Sequence, residues 1–586
     1  MSGGNGARLS LRILLCCAIA SAAITLLPLA TRPCALSLPR TILAITGLDP
    51  HLVSCAGDAA SESPPPSRAA GVSNSKAGIG ADGAGGPIVT DPLLCGEPDL
   101  PPHALPPFRC CPPPSPSPAP EPLNFTLPDP AAQPLRTRRP AHAAADDMAA
   151  FARAVALMKA LPASDPRSFH QQARIHCAYC AGARRQAGRP AAPVQVHYSW
   201  LFFPFHRAYV YFFERIAARL LGDPGFALPF WSWDVPEGMR MPAEFADEAS
   251  PLYDPVRNPR HLPPRLVDFD FSNVDKNCTD EEQILLNLRI MHKQMVTNAR
   301  LPSLFHGQPY RAGEPAFPGA GTVELCPHNT MHKWTGDISH RNHEDMGSYY
   351  SAARDPIFYP HHANTDRLWE AWRDLVAGGG EPPRHRQADF TDPDWLDSSF
   401  LFYDEEARLV RVTVRDMLDV GKLRYTYDDE GAGTPWLAAR PPVTAGVSRG
   451  REGLLRSVRF PVSLDAAVSA EVRRPRRRRR RLEEEVLIVD GVEADGAHLV
   501  KFDVYVNAVE HEKVGPGGRE MAGSFVSLKH PGMEAGKMGV KTSMMVALSE
   551  ILEDLGAEGD DSVTATLVPV SGKVRIGGLR IVYMAV

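Results

Sequence analysis

At 586 residues the chain is too long for one ordinary core, so two or more domains are expected. A net charge of -5 removes the general electrostatic case for nucleic acid as a partner, and a hydrophobic share of 44% is ordinary for a globular protein. Many of the 57 prolines precede Pro140, which argues against a packed core in that region.

Residues 1–35 read as a signal or targeting segment: Arg8 and Arg12 precede Ile13-Leu14-Leu15 and an apolar run that ends at Leu29-Ala30. The run is long enough to serve as an anchor if uncleaved. Cleavage is the expectation, leaving no stable membrane partner. Two glycosylation sequons, Asn124-Phe125-Thr126 and Asn277-Cys278-Thr279, fit a secretory route. Residues 36–90, rich in Ser, Gly, Ala and Pro, read as a low-complexity linker.

Residues 91–427 form the first folded domain, mainly helical. Met148, Phe151, Val155, Met158 and Leu161 recur at helical spacing. Ser164-Asp165-Pro166 predicts the start of a helix carrying Phe169, Ala173 and His176. His197 and His206 are too far apart for one helix face, so His197 is placed before a helix that starts near Pro204. A further helix runs from Glu281 to Ala299 with Ile284, Leu285, Leu288, Ile290, Met291 and Met295 inward. His328 and His332, four apart, share a helix face, and His362 lies on a last helix that continues through Trp369 and Trp372. Leu409 to Val414 alternates like a strand, and Arg424 to Tyr427 reads as another.

Residues 428–451 carry the glycines and prolines of a linker. Residues 452–586 predict an all-β sandwich, with strands at Val458–Val462, Val468–Val472, Val486–Val489, Lys501–Val506, Val563–Val568 and Leu579–Met584. An arginine run from Arg473 through Arg481 reads as a solvated loop, or functionally as a protease-sensitive site.

Chemistry concentrates in the histidines. His176, His197 and His206 form one trio and His328, His332 and His362 another, and without a partner carboxylate three plus three imidazoles imply two metal ions. His361 adjoins His362, and adjacent helical residues diverge by about 100°, so one of the pair is expected to face the metal. Imidazole suits Cu, Zn, Fe and Ni alike, so the ligands alone do not select the metal. A zinc protease is disfavoured because no Glu follows His328. Of the 11 cysteines, Cys95, Cys110, Cys111, Cys177 and Cys180 cluster near the first trio, which suits an oxidising compartment; Cys278 and Cys326 read as free thiols. Connectivity does not follow from spacing.

The segment His197 to Glu214, with Phe202-Phe203-Pro204-Phe205-His206-Arg207, resembles the first copper signature of tyrosinases and catechol oxidases, and Asp355 to Asp366 resembles the second. Pro229 to Asp234, Asp394-Trp395-Leu396-Asp397, Tyr425-Thr426-Tyr427 and Lys501-Phe502-Asp503-Val504 are similar to plant polyphenol oxidases, so the resemblance runs from about residue 95 to 586. It implies a helical-bundle domain with a type-3 copper pair: His176, His197 and His206 on one ion, His328, His332 and His362 (not His361) on the other. It also implies a thioether from Cys180 to His197 and disulfides Cys95–Cys110 and Cys111–Cys177.

The implied reaction oxidises o-diphenols to o-quinones and reduces dioxygen to water. The alternative is a haemocyanin-like dioxygen carrier without turnover; a secreted zinc-binding protein is a third reading. In the family Glu324 would hold a water that Asn329 polarises, which motivates monophenol hydroxylation as well. Tyr349 stands where a phenylalanine gate is frequent, and Lys333 is expected at the substrate entrance, favouring carboxylated phenols. The β domain would shield the copper entrance until an activating protease cuts residues 428–451 or the arginine loop. The family usually enters the thylakoid lumen, but no Ser-rich region precedes the apolar run. The secretory pathway, with vacuole or exterior as destination, is therefore the expectation, and the lumen the alternative.

Overall fold

The histidine trios lie in a mainly helical domain. The computed structural model describes residues 85–106, 109–113, 121–377, 389–428, 433–447, 458–476, 483–495, 499–528 and 538–585. The expected targeting segment, most of the low-complexity linker, Arg477–Arg481 and parts of the 428–451 linker lie outside the described residues. Among the described residues no helix is long and apolar enough to cross a membrane.

Helix α1 (Ala145–Ala160) buries Met148, Phe151, Val155 and Met158, the inward stripe its spacing predicts. Helix α2 (Phe169–Cys180) starts later than expected, because the Ser168 hydroxyl accepts the Gln171 N–H and so caps it. Helix α3 (Phe202–Leu221) is buried along most of its length and packs on both α1 and α6 (Phe358–Ala377). Helix α4 (Asp280–His292) opens on a Thr279–Glu282 capping box and runs into a wider turn, Lys293–Thr297. Leu285, expected inward on α4, is 42% exposed. Asn287 is buried instead, its amide donating to the Val267 carbonyl at 2.7 Å and its oxygen accepting the Phe269 N–H at 3.2 Å. Helix α5 (Asn329–Thr335) follows a wide turn over Glu324–His328.

One hub ties α3 to α6. Asp366 accepts hydrogen bonds from Arg138 at 3.2 Å, Tyr425 at 2.7 Å and Tyr427 at 2.6 Å, and pairs with Arg207, the neighbour of His206. Burial pushes the Asp366 carboxyl up, but Arg207 and Arg138 hold it below the ordinary carboxylate range. Its contribution to stability is therefore complete above about pH 4 and lost as pH falls through the depressed value. Asp366→Asn should destabilise the chain by about 3 kcal/mol at pH 7, since it leaves two buried guanidinium groups short of a partner. Urea unfolding at pH 7, repeated down the acid limb, checks both size and sign.

The disulfides correct the expected pairing. Cys95 bonds Cys111 and Cys110 bonds Cys177, tying the proline-rich arm to α2. Adjacent cysteines on an extended chain point to opposite sides, so spacing alone could not assign them. Cys278 and Cys326 are free thiols, as expected.

Beyond the helices, Leu409–Thr413 pairs antiparallel with Ser399–Tyr403 and buries Val410 and Val412 on one face. The C-terminal domain is a sandwich of antiparallel strands. Its strands are β1 (Val462–Ser463), β2 (Val468–Arg473), β3 (Glu483–Asp495), β4 (Val500–Val506), β5 (Met521–Ser527), β6 (Met538–Ala547), β7 (Ser562–Ser571), β8 (Val574–Ile576) and β9 (Gly578–Ala585). One sheet runs β2-β7-β4-β5 and the other β6-β3-β8-β1, with β9 also pairing β3. Every residue of β4 and β5 is buried, on both faces. The sandwich core covers one face, and the helical domain adds cover on the other. At that seam Lys501 pairs with Asp270, Asn298 donates to the Ala522 carbonyl at 2.7 Å, and Arg519 donates to Thr297 at 2.9 Å.

Candidate metal centre

All six expected histidines converge. In His176, His197 and His206 the ring nitrogens that could bind an ion lie within 4.8 Å of one another, and the same holds for His328, His332, His361 and His362. The two groups are neighbours: the rings of His206 and His362 stack with centroids 4.3 Å apart.

Backbone carbonyls decide how these rings face. The Nδ1–H of His176 donates to Tyr349, that of His206 to Phe202 and that of His332 to Met346, each at 2.8 Å. His328 donates from Nδ1 to the Asn329 side-chain oxygen at 3.1 Å. With the proton on Nδ1, each Nε2 carries a lone pair. The Nε2 atoms of His328 and His332 lie 3.1 Å apart, two lone pairs facing each other, while those of His176 and His206 are buried without a protein partner. Such an arrangement is repulsive alone and is relieved by a cation shared between the rings. The donor set fits metal ions. Burial also keeps the rings neutral, the binding form, bringing His206 down to about 3 and His332 to about 4.

His361 lies in the same cluster, yet Trp233 separates it from His362. The Trp233 indole donates to His361 Nδ1 at 3.1 Å, which requires the lone pair there and puts the proton on Nε2. A protonated Nε2 cannot ligate, so this bond disfavours His361, whereas both ring nitrogens of His362 are buried without a hydrogen-bond partner.

His197 sits in the loop before α3, where a left-handed turn at Tyr198 (φ 56°) reverses the chain. Glu324 Oε1 accepts the Tyr198 N–H at 2.7 Å and so anchors that loop; its Oε2 is buried without a protein partner. Burial raises the Glu324 carboxyl well above the ordinary range. Cys180 is a buried thiol at the end of α2. Gln195 joins its segment to that of His197, donating to the Cys180 carbonyl at 3.2 Å while accepting the His197 N–H at 3.0 Å. The Tyr349 ring lies 4.5 Å from that of His197, and its hydroxyl donates to Asn329 Oδ1 at 3.4 Å.

Lys333 corrects an expectation. It is 1% exposed, with Nζ donating to the Phe271 carbonyl at 3.1 Å. Burial, and then the Lys501 charge, bring it down to about 7. A helix position next to a ligand reads as an entrance in sequence, but the 268–271 segment and the β domain cover this one. Sequence reasoning missed Trp233 as the group that sets His361, and Val526, whose carbonyl accepts from the Asn329 amide at 2.8 Å. No residue-type signal marks a backbone carbonyl.

Family models agree with this architecture. One described as the common central domain of tyrosinase matches residues 166–375, one described as the polyphenol oxidase middle domain matches 389–442, and one described as the chloroplastic polyphenol oxidase C-terminal domain matches 460–583. A chloroplastic polyphenol oxidase of Malus domestica is 47% identical over 517 residues, covering 84% of each chain. An aureusidin synthase of Antirrhinum majus is 48% identical over 501 residues, covering 83% of this chain and 86% of the relative. A solved structure of latent apple tyrosinase has a TM-score of 0.74 at 47% identity, covering 79% of this chain and 100% of that one. Several relatives, including the one from Malus domestica, are named chloroplastic, and this overturns the secretory destination expected from the leader. An apolar run shows that a segment can engage a membrane; which receptor reads the segment is not a property of its hydrophobicity.

Proposed function

This chain belongs to the plant polyphenol oxidases of the tyrosinase family, and from that premise we propose that it oxidises o-diphenols to o-quinones, held latent by its β domain. It is an oxidoreductase of phenols with dioxygen, and its cofactor is a pair of copper ions. When bound, the pair supplies the redox chemistry: two diphenols give up four electrons and four protons, and one dioxygen becomes two waters. His176, His197 and His206 would hold one ion, and His328, His332 and His362 the other. The observation that carries the reading is the set of Nε2 lone pairs turned inward by Nδ1–H bonds. Catechol turnover measured with copper content tests it, since a dioxygen carrier on the same rings would load copper and turn nothing over. The chloroplastic relatives favour the chloroplast as its destination.

Tyr349, beside His197, would border the phenol, and a Cys180–His197 thioether would fix the orientation of the His197 ring. Peptide mass spectrometry should find the Cys180 and His197 peptides joined, two hydrogens short of their sum.

Monophenol hydroxylation is a second reading, favoured by the Asn329 contacts. A phenol must lose a proton of pKa near 10, and Asn329 joins His328, Tyr349 and, through Val526, the lid. Departure of the lid would free the Asn329 amide to orient a water held by Glu324. Asn329→Ala in the trimmed enzyme should lower tyramine hydroxylation by about 10- to 100-fold relative to catechol oxidation. Equal loss in both would remove the role.

A further inference from the structure

A cavity of about 320 Å³ is lined by none of the six histidines of the two trios. Helix α2 supplies Phe169, Ala173 and Arg174 to its wall, and Leu105, Tyr253 and Val256 add apolar surface. Arg109, Arg174 and Arg354 converge there with Lys159 and His170. Arg354 is fixed in place, donating to the Leu105 carbonyl at 2.9 Å with its guanidinium 5.2 Å from the Tyr350 ring centroid. Arg174 is different: its Nε is buried without a hydrogen-bond partner, and neither it nor Arg109 forms an ion pair among the described residues.

Asp254 and Asp345 also line the cavity, each with one carboxyl oxygen buried and unpartnered. Burial and then neighbouring carboxylates push both acids up, toward their neutral forms, which leaves them weak counter-ions for the arginines. Arg109 and Arg354 in turn repel the Arg174 charge. A cavity with apolar wall residues and several cations suits a flat ligand with an anionic head.

We propose that this cavity binds a small aromatic carboxylate or sulfonate, its ring against Phe169 and its anion between Arg109 and Arg174. The site does not depend on the copper chemistry. Its position is nonetheless close to it in sequence: Arg174 and Cys177 flank His176 on α2. Asp345 and Tyr350 bracket Met346 and Tyr349, whose carbonyls orient His332 and His176.

The test is calorimetric titration of the copper-loaded, unproteolysed full chain with naphthalene-2-sulfonate, a poor copper ligand that this chemistry cannot oxidise, and separately with inorganic phosphate. One equivalent of naphthalene-2-sulfonate should bind, with phosphate at least tenfold weaker. Arg109→Gln, at an exposed position, and Arg174→Gln should each weaken the sulfonate at least tenfold while copper content stays at wild type. No binding, phosphate binding as tightly, or unchanged affinity in Arg109→Gln would each overturn the proposal; the last decides alone if Arg174→Gln does not fold.

Discussion

Replacing His362 by alanine is expected to remove one copper per chain and to lower catechol turnover by on the order of 10³-fold, because the reacting pair works as a unit. Replacing its neighbour His361 by alanine should leave both ions bound and cost about 10- to 100-fold, the usual effect of a group that supports ligands without being one. The two residues share a helix, full burial and the same chemistry. What separates them is the Trp233 indole, whose hydrogen bond to His361 Nδ1 places that ring's proton on the nitrogen that would otherwise bind. Copper per chain, together with catechol turnover of the trimmed enzyme, reads the outcome. Copper lost from His361→Ala and retained in His362→Ala would reverse the assignment.

The second large effect belongs to the lid. Lys501→Met in the unproteolysed chain should raise catechol turnover at least tenfold toward that of the trimmed enzyme. Lys501 is buried, and it pairs across the seam with Asp270. Burial works against its charge, but Asp503 and Asp270 outweigh that and raise it above the ordinary lysine range. Removing Lys501 costs about 3 kcal/mol, since Asp503 is left buried without its cation and Asp270 keeps only Lys276. Each 1.4 kcal/mol is a tenfold change in the ratio of closed to open lid. Asp270 is burdened by burial but held below the ordinary range by Lys501 and Lys276, so its share is complete above about pH 4 and lost in stronger acid. Turnover before and after limited proteolysis checks the claim; an unchanged latent rate beside a normal trimmed rate would mean the seam is held by other contacts.

How far the residues alone reached differs from element to element. Helix α1 was legible because one face is buried and the other solvated, so the period shows in the residue types. Strand β5 was not, because its two faces are both buried and its residues, Met-Ala-Gly-Ser-Phe-Val-Ser, show no alternation. Helix α4 misled in one detail: a buried Asn287 that satisfies two backbone groups took a place that apolar spacing had given to Leu285. Lys333 misled for a related reason, since its surroundings come from segments far along the chain.

Two trios of imidazoles, a helical domain and a β domain are encoded in residue types and spacing, because ligation and hydrophobic period are properties of the side chains themselves. Which of two adjacent histidines can bind, which cysteines pair, and whether a lysine beside a ligand meets solvent depend on groups brought together from distant segments. A carbonyl, an indole N–H or a covering strand acts through its position in space, and only the tertiary structure supplies that position.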